Sequence, residues 1–191
     1  MIKKILIVSD SHGRSQNIKT AIDREQPDML IHLGDIEDDP EKIRRWLDAV
    51  YLKKREHSNE GDASPSGLPV PAVFIKGNCD RSDGSGVLKN AAVFEVNSHR
   101  FLAVHGHKQG VSYGVENLMY TAMENDCDIA LYGHTHMPFD ESFEGYGDMP
   151  GTGVRILNPG SITLPRGGNR KSYMVLTFDE EDEYDVLLKT L

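Results

Sequence analysis

Cysteine is scarce in this sequence of 191 residues, which contains only Cys79 and Cys127. Small secreted domains that depend on disulfide bonds carry cysteines far more densely, so the sequence excludes a disulfide framework. Two thiols in a chain of this length are typical of a protein from a reducing compartment. We therefore predict a cytoplasmic location.

Long hydrophobic runs are also absent. The first residues resemble a secretory signal, because two lysines precede an apolar run over residues 5–8. That run is far shorter than the ~7–15 apolar residues of a signal-peptide core. No stretch approaches the ~20 apolar residues of a membrane-spanning helix. We expect neither a signal peptide nor contact with a membrane.

Positive charge is in deficit. The chain has 21 Lys and Arg against 30 Asp and Glu, which gives a formal net charge of −9. An acidic protein without a basic stripe repels the phosphate backbone of DNA and RNA, so we expect no long nucleic acid as a partner. A short anionic substrate held by a locally cationic site is compatible with this charge.

Strands alternate with helices in the first two-thirds of the chain, and hairpins dominate the rest. Hydrophobic patterning predicts single strands over 3–10, 28–35, 71–76, 127–133 and 153–161. It predicts β-hairpins over 92–104 and 172–191. Helices are predicted over 14–26, 39–54 and 114–126. Residues 55–71 are rich in Gly, Pro and Ser and predict an exposed connection. Together with the chain length, this order predicts one mixed α/β domain over residues 1–191.

Polar side chains follow five of the predicted strands. They are Asp10 and His12, then Asp35, then Asn78, Cys79 and Asp80, then His105 and His107, and finally His134 and His136. Ligands bind at the carboxyl ends of the strands in α/β sheets. Five of the eight histidines fall in these groups, so we expect the five segments to form a shared site.

Carboxylate, amide and imidazole groups together indicate a site for divalent metal ions. Oxygen ligands suit Mg and Mn, whereas imidazole suits Zn, Fe and Ni. The groups are too numerous for one ion, which suggests two. Two ions about 3.5–4 Å apart form a recurrent arrangement for displacement at a phosphoester.

These residues also carry a family resemblance. The segments DSH, GD, GNCD, HGH and GHTH, in that order, resemble the five signature blocks of the calcineurin-like metallophosphoesterase superfamily. NPGS at 158–161 and PRGG at 165–168 make the chain most similar to the small YfcE-type phosphodiesterases. The resemblance implies a four-layered α/β/β/α sandwich, in which two mixed β-sheets are flanked by helices.

The resemblance also implies a ligand set and a reaction. One ion would be bound by Asp10, His12, Asp35 and His136, and the other by Asp35, Asn78, His105 and His134. Asp35 would bridge the ions, and a hydroxide between them would hydrolyse a small phosphodiester. Manganese is the expected metal, with nickel, iron, cobalt and zinc as alternatives. Relatives of this kind often form homo-oligomers, and we expect the same here.

Two further residues are expected close to the reaction. His107 would line the site without binding a metal. Cys79 occupies a position that is a histidine in much of the superfamily, where that histidine protonates the leaving group or contacts phosphate. Thiolate would be an unusual ligand among oxygen and imidazole donors, so we expect Cys79 to line the site without binding a metal.

Structural roles compete with these assignments. Asp10 could cap the following helix, Asp35 could be a turn residue, and Cys79 could be a buried inert thiol. The other polar side chains have simpler expected places. We expect His32 to pack in the interior or to support the metal ligands from behind, and His57 and His99 to lie in solvent. Asp80 could orient neighbouring His or Cys side chains or lie at the surface, and Arg81 and Arg166 could contact a substrate phosphate or lie at the surface.

A different function is also compatible with the motifs. A eukaryotic trafficking subunit that resembles this family serves chiefly as a protein-interaction module. The present chain could be a metal-binding scaffold of the same kind, with little or no activity. Because every expected ligand position is filled, we favour an enzyme.

Overall fold

The structure, a computed structural model, describes residues 1–57, 70–81, 86–144 and 153–191, with the side chains of residues 54–57 excepted. The elements are β1 (Lys4–Val8), α1 (Ser15–Glu25), β2 (Met29–His32), α2 (Pro40–His57), β3 (Ala72–Ile75), β4 (Leu88–Lys89), β5 (Ala91–Val96), β6 (His99–Val104), α3 (Glu116–Glu124), β7 (Ile129–Leu131), β8 (Pro138–Phe143), β9 (Val154–Pro159), β10 (Ser172–Phe178) and β11 (Tyr184–Thr190).

The strands of the described residues form two mixed sheets. The first has six strands in the order β11-β10-β1-β2-β3-β4, and the second has five in the order β5-β6-β7-β9-β8. Strands β1, β2 and β3 are parallel to one another, as are β6, β7 and β9. Each sheet therefore brings several strand carboxyl ends to one edge, which is where the polar segments follow.

Three apolar clusters hold the layers together. Ile5 and Ile31 of the first sheet pack against Leu131 of the second. On the outer face of the first sheet, Leu6 packs with residues of α1 and α2. On the outer face of the second sheet, Leu102 packs with residues of α3. Successive residues of β1 thus serve both faces, which explains why the strand is continuously apolar. The predicted four-layered sandwich is confirmed.

Several local predictions can be compared with the structure. Asp39 caps α2 as expected, because its Oδ1 accepts a hydrogen bond from the backbone N–H of Glu41 at 2.9 Å. The hairpins over Asn97-Ser98 and over the acidic segment before Tyr184 are also present. Strands β4 and β8 were not predicted. The connection over 55–71, with the side chain of His57, lies mostly outside the described residues.

His99 was expected in solvent, and this prediction is wrong. It is the first residue of β6 and is only partly exposed, with Nδ1 2.5 Å from Asp128 Oδ2 and Nε2 3.0 Å from the carbonyl oxygen of Asp182. Its partners come from two distant loops, so no local pattern could indicate them.

Among the described residues, no helix has the length and apolar character needed to cross a membrane.

Candidate metal centre

The first half of the site combines residues from opposite ends of the chain. Asp10 and His12 follow β1, whereas His136 precedes β8. His136 Nε2 lies 3.2 Å from Asp10 Oδ1 and 3.3 Å from His12 Nε2. The three side chains form a group whose donor atoms all lie within 4.8 Å of one another, as ligands of a single ion would.

The second half of the site lies around Asp35, which follows β2. Asp35 Oδ2 is 3.5 Å from His105 Nε2 and 4.0 Å from His12 Nε2. His105 Nε2 is also 3.1 Å from Asn78 Oδ1. Asp35 Oδ2 therefore lies between imidazoles of both halves, the place from which one carboxylate can contact two ions.

Neighbouring groups orient the imidazoles. His105 Nδ1 lies 2.7 Å from the carbonyl oxygen of Leu33, and His136 Nδ1 lies 2.6 Å from that of Leu164. Because a carbonyl oxygen can only accept, each Nδ1 carries the proton and donates it. Each Nε2 then points into the site. Metal-binding histidines are typically oriented in this way by a second hydrogen bond.

One buried oxygen supports the same chemistry. Asp10 is fully buried, yet its Oδ1 has no hydrogen-bond partner among the described residues, although His136 Nε2 lies 3.2 Å away. Asp10 Oδ2 accepts the backbone N–H of His134 at 3.1 Å. A buried carboxylate oxygen without a partner is costly unless a cation binds it. The donor set therefore fits a divalent metal ion.

The alternative role of Asp10 as a helix cap is wrong. Asp10 does not cap α1, which begins after Arg14 without a side-chain capping bond.

The charge distribution favours an anionic Asp35. Burial opposes this charge, but the hydrogen bonds from His105 and from the backbone N–H of Cys79 hold the pKa of Asp35 well below its usual range. Burial likewise opposes protonation of His105, but its contact with Asp35 raises the pKa of His105. A metal ion between these groups would replace the proton on Nε2.

His134 and His107 lie beside His105. Ring centroids are 5.2 Å apart for His105 and His134 and 5.4 Å apart for His105 and His107. Burial, followed by the nearby charge of His105, lowers the pKa of both His134 and His107, and the positive charge of Arg166 contributes at His134. His107 Nδ1 is buried and has no hydrogen-bond partner within the residues that the structure describes. Neutral imidazoles are the form that can bind a metal or accept a proton.

The backbone at the site is strained. Five of the seven sequence-predicted ligands have positive φ angles: Asp10 at 53°, His12 at 44°, Asp35 at 53°, His134 at 68° and His136 at 62°. Each such residue costs on the order of 1–3 kcal/mol, and such conformations cluster at functional sites. The strain turns these side chains toward the shared edge.

Cys79 is exposed beside the site, so the alternative of a buried inert thiol is wrong. Its sulfur belongs to a group with His12 and Asp35 whose donor atoms lie within 4.8 Å of one another. Partial desolvation and the Asp35 carboxylate raise the pKa of Cys79 to about 11. The sulfur is therefore within reach of the site, but as a neutral thiol.

Three supporting residues were not predicted or were placed differently. Glu37 Oε2 lies 2.8 Å from His12 Nδ1. Asp80, for which surface exposure was an open alternative, is buried and accepts the backbone N–H groups of Glu37 and Gly77, both at 2.8 Å. Ser161 donates a hydrogen bond to the carbonyl oxygen of Asp10 at 2.8 Å. These bonds connect the signature segments to one another.

His32 supports the site from the core. It is fully buried, and burial lowers its pKa to about 4. Its Nδ1 accepts the backbone N–H of Gly34, so the neutral ring carries its proton on Nε2, which lies 3.0 Å from Ser11 Oγ. The expectation of a packing role is consistent with this position.

Two cavities flank the site. One, of about 600 Å³, is lined by Cys79, Arg81 and the carboxylates of Glu37, Asp38, Asp39 and Asp80. The other, of about 720 Å³, contains Arg166 and Thr135 and has largely apolar walls. The two arginines that were considered for phosphate binding thus lie in different cavities.

Curated relatives share the family across nearly the whole chain. The chain is 30% identical over 179 residues to the probable metallophosphoesterase YsnB of Bacillus subtilis (strain 168), covering 93% of this chain and 85% of the relative. It is 26% identical over 185 residues to the phosphodiesterase YfcE of Escherichia coli (strain K12), covering 92% and 88%.

Solved structures share the fold. A predicted phosphoesterase from Streptococcus pneumoniae TIGR4 superposes with a TM-score of 0.70 at 26% identity, covering all of this chain (100%) and 90% of that chain. Vps29 from Entamoeba histolytica, solved in complex with zinc, superposes with a TM-score of 0.63 at 18% identity, covering 97% and 98%. The second likeness concerns the fold alone.

The family model of the calcineurin-like phosphoesterase superfamily domain matches residues 4–181. The match includes all five signature segments and both supporting segments at 158–161 and 165–168. Together with the relatives above, it establishes that the chain belongs to the calcineurin-like phosphoesterase superfamily.

Proposed function

We propose that this protein is a dinuclear metal-dependent phosphodiesterase that hydrolyses small phosphodiesters. Asp10, His12, Asp35 and His136 would hold one ion, and Asp35, Asn78, His105 and His134 the other. Manganese suits this mixture of oxygen and imidazole donors, with nickel, iron, cobalt and zinc as alternatives. Bound divalent ions would supply a nucleophile from water near neutral pH and neutralise charge on the phosphoryl oxygens.

One observation carries the proposal. Asp10 Oδ1 is buried, has no hydrogen-bond partner in the described part of the chain, and faces the inward-pointing Nε2 of His136 at 3.2 Å. A structural carboxylate in the interior would be expected to have a hydrogen-bond partner at each oxygen. A carboxylate and imidazoles that converge in this way are arranged for a cation.

The remaining residues suggest how a phosphodiester would be held. His107 lies beside the rings of His105 and His134, where the N–H of a neutral ring can donate a hydrogen bond to a phosphoryl oxygen. Asn78 offers its amide N–H group, which lies 3.3 Å from Cys79 Sγ. Cys79 would contribute a neutral thiol at the position where relatives have a histidine. It would be a weak proton donor, so leaving groups that need little protonation are favoured.

The test is hydrolysis of bis(p-nitrophenyl) phosphate before and after exhaustive chelation. We expect chelation to abolish hydrolysis and manganese, nickel or cobalt to restore it. His105→Gln should remove activity, whereas His99→Gln, a control at the other end of β6, should retain it. Full activity in metal-free protein would show that the proposal is wrong.

A scaffold function is the second candidate, because Vps29 structures share the fold. A scaffold would bind metal without turning over any phosphoester. If the protein binds two equivalents of metal but hydrolyses neither diesters nor monoesters, the scaffold function is favoured over the enzyme.

A further inference from the structure

The cavity beside His136 has the form of a substrate pocket. Its volume is about 720 Å³, within the range of roughly 300–1,000 Å³ that is usual for small-molecule sites. It lies between the loop that follows β6 and one face of β8. Its wall includes Thr135, the residue between two proposed metal ligands, and Arg166, whose backbone N–H donates to the carbonyl oxygen of His136, so the cavity lies next to the metal centre.

The end of the cavity near the metal centre is polar. Asn158 Nδ2 donates a hydrogen bond to Thr135 Oγ1 at 3.0 Å and fixes this side chain. The backbone N–H of Arg166 donates to the carbonyl oxygen of His136 at 3.2 Å, which places the arginine at the same end. Arg166 and Asn169 both line the cavity and supply donors for the oxygens of a bound phosphoester.

The wall leading away from the metal centre is aromatic. Phe139 and Phe143 lie on the same face of β8 because side chains alternate along a strand, and both line the cavity. Four residues of strand separate them by ~13 Å. Phe139 also contacts Tyr132 edge to face, with ring centroids 6.1 Å apart. The wall thus offers one aromatic surface at Phe139 and a second at Phe143.

The charges of this wall indicate what kind of group would bind there. Glu141 lies between the two phenylalanines on the same face, and Glu116 also lines the cavity. Two carboxylates disfavour a second phosphate or another anionic group beyond the metal centre. They can accept hydrogen bonds from N–H or O–H groups at the edge of a ring.

We infer that this cavity binds one ester arm of the substrate and that this arm is an uncharged aromatic group, up to the size of a nucleoside. The inference rests on the proposed function, because the phosphate of the same substrate would lie at the metal centre. It adds a substrate class: phosphodiesters with an aromatic arm are preferred to those with two short aliphatic arms.

The test compares two non-hydrolysable anions by isothermal titration calorimetry on manganese-loaded protein. Benzylphosphonate and methylphosphonate share the phosphonate group and differ in the ring. We expect benzylphosphonate to bind about tenfold more tightly, because its ring is buried against Phe139. Phe139→Leu and Phe139→Ala should each reduce this preference at least about threefold, whereas Phe143 lies ~13 Å farther along β8, beyond the reach of a benzyl ring held at the metal centre. Phe94→Leu replaces a half-buried phenylalanine of β5 outside the cavity and should leave the preference unchanged.

Thermal unfolding of each variant identifies any that fails to fold, and two cavity variants keep the test decisive. Equal affinity of the two phosphonates for the wild-type protein, or an unchanged preference in the folded cavity variants, would overturn the inference. Hydrolysis of bis(p-nitrophenyl) phosphate by the same preparation is measured separately. If hydrolysis occurs without the ring preference, only the pocket assignment is wrong. If the ring preference occurs without hydrolysis, the pocket stands and the proposed activity is wrong.

Discussion

The Nε2 atoms of His12 and His136 lie 3.3 Å apart, although 124 residues separate the two histidines in the chain. The fold brings them together at strained backbone positions, with φ angles of 44° and 62°. Two imidazoles and the unpartnered oxygen of Asp10 at this distance stabilise the protein little by themselves. Their arrangement would become favourable with a cation bound between them.

Metal binding should therefore stabilise the folded protein. A ligand at 100 times its dissociation constant adds about 2.7 kcal/mol to the free energy of unfolding. We expect manganese to raise the midpoint of thermal unfolding of chelated protein by several degrees. His136→Ala should reduce this shift. A midpoint that does not respond to manganese would contradict the assignment.

Asp35 should affect both metal positions. Its Oδ1 accepts the backbone N–H of Cys79 at 2.8 Å, and its Oδ2 lies between His12 and His105. We predict that Asp35→Asn loses metal from both positions, whereas Asp10→Asn retains part of one ion. Elemental analysis of the purified variants measures this directly. The control is Asp23→Asn, which changes an exposed partner of Lys19. Two full equivalents in Asp35→Asn would rule out a bridging role.

Cys79 should be dispensable for metal binding. Cys79→Ser should keep both ions, because thiolate is an unusual ligand among oxygen and imidazole donors and we expect Cys79 not to bind either ion. Cys79→His should raise the turnover of substrates with poor leaving groups relative to p-nitrophenyl diesters. A well-placed general acid contributes ~10²–10⁴ in rate, and we expect a smaller gain because the site is not shaped for an imidazole.

Rates for a series of aryl diesters and one monoester, with metal content measured in parallel, test both Cys79 variants. Loss of an ion in Cys79→Ser would identify the thiol as a ligand. An unchanged ratio of substrates in fully metallated Cys79→His would exclude the missing-acid explanation and leave the metal centre unaffected.

His99 should make the stability depend on pH. Burial opposes its protonation, but Asp128 and the carbonyl oxygen of Asp182 raise its pKa above the ordinary value of 6.5. The stabilisation is fully present below the unfolded pKa and is lost as the pH rises through the higher folded pKa. Because Asp128 is partly exposed, we expect an effect of about 0.5–1 kcal/mol.

The His99 prediction is tested by urea unfolding of wild type and His99→Gln in chelator at pH 5.5 and pH 9. At pH 5.5 the wild type should have a higher free energy of unfolding than His99→Gln. At pH 9 this difference between the two proteins should be smaller. The contributions of the other titrating groups are common to both proteins and cancel in the difference between their free energies of unfolding. A difference that is independent of pH would show that His99 is not protonated in the folded state.

Local pattern predicted a mixed α/β fold and the strand ends at which the candidate site lies, whereas the four-layered arrangement was predicted from the family resemblance. The strands that build the interior are continuous apolar segments, and the polar residues follow them directly. Strand β8 was missed because its sequence, PFDESF, begins with proline and contains two acidic residues. It is half exposed and pairs with β9 at the end of the sheet, so neighbouring backbone rather than its own composition makes it a strand.

The residues that support the site could not be predicted from local pattern. Asp80 contacts the backbone of Glu37 across 43 residues, and Ser161 contacts that of Asp10 across 151 residues. Each is a common surface residue whose role depends on a partner from another segment. The signature segments could be recognised because the ligands lie within short motifs, whereas the bonds between motifs exist only in the folded chain.

Gly77 should be necessary because of the space that it leaves for Asp35. A Cβ atom added at Gly77 would lie 2.0 Å from Asp35 Oδ1 and 2.3 Å from the Asp35 backbone nitrogen, too close for either to remain in place. We predict that Gly77→Ala displaces Asp35, lowers metal content at both positions and reduces diester hydrolysis at least about tenfold, as a small displacement of a catalytic group can. Gly86→Ala is the control: a Cβ there meets no atom of the described residues within 4 Å, although its φ of 72° carries some strain. Thermal unfolding first shows whether each variant is folded. Elemental analysis and turnover measurements on both variants then test whether Asp35 has been displaced. A folded Gly77→Ala protein with two ions and normal turnover would mean that the Asp35 carboxylate does not need the position observed here.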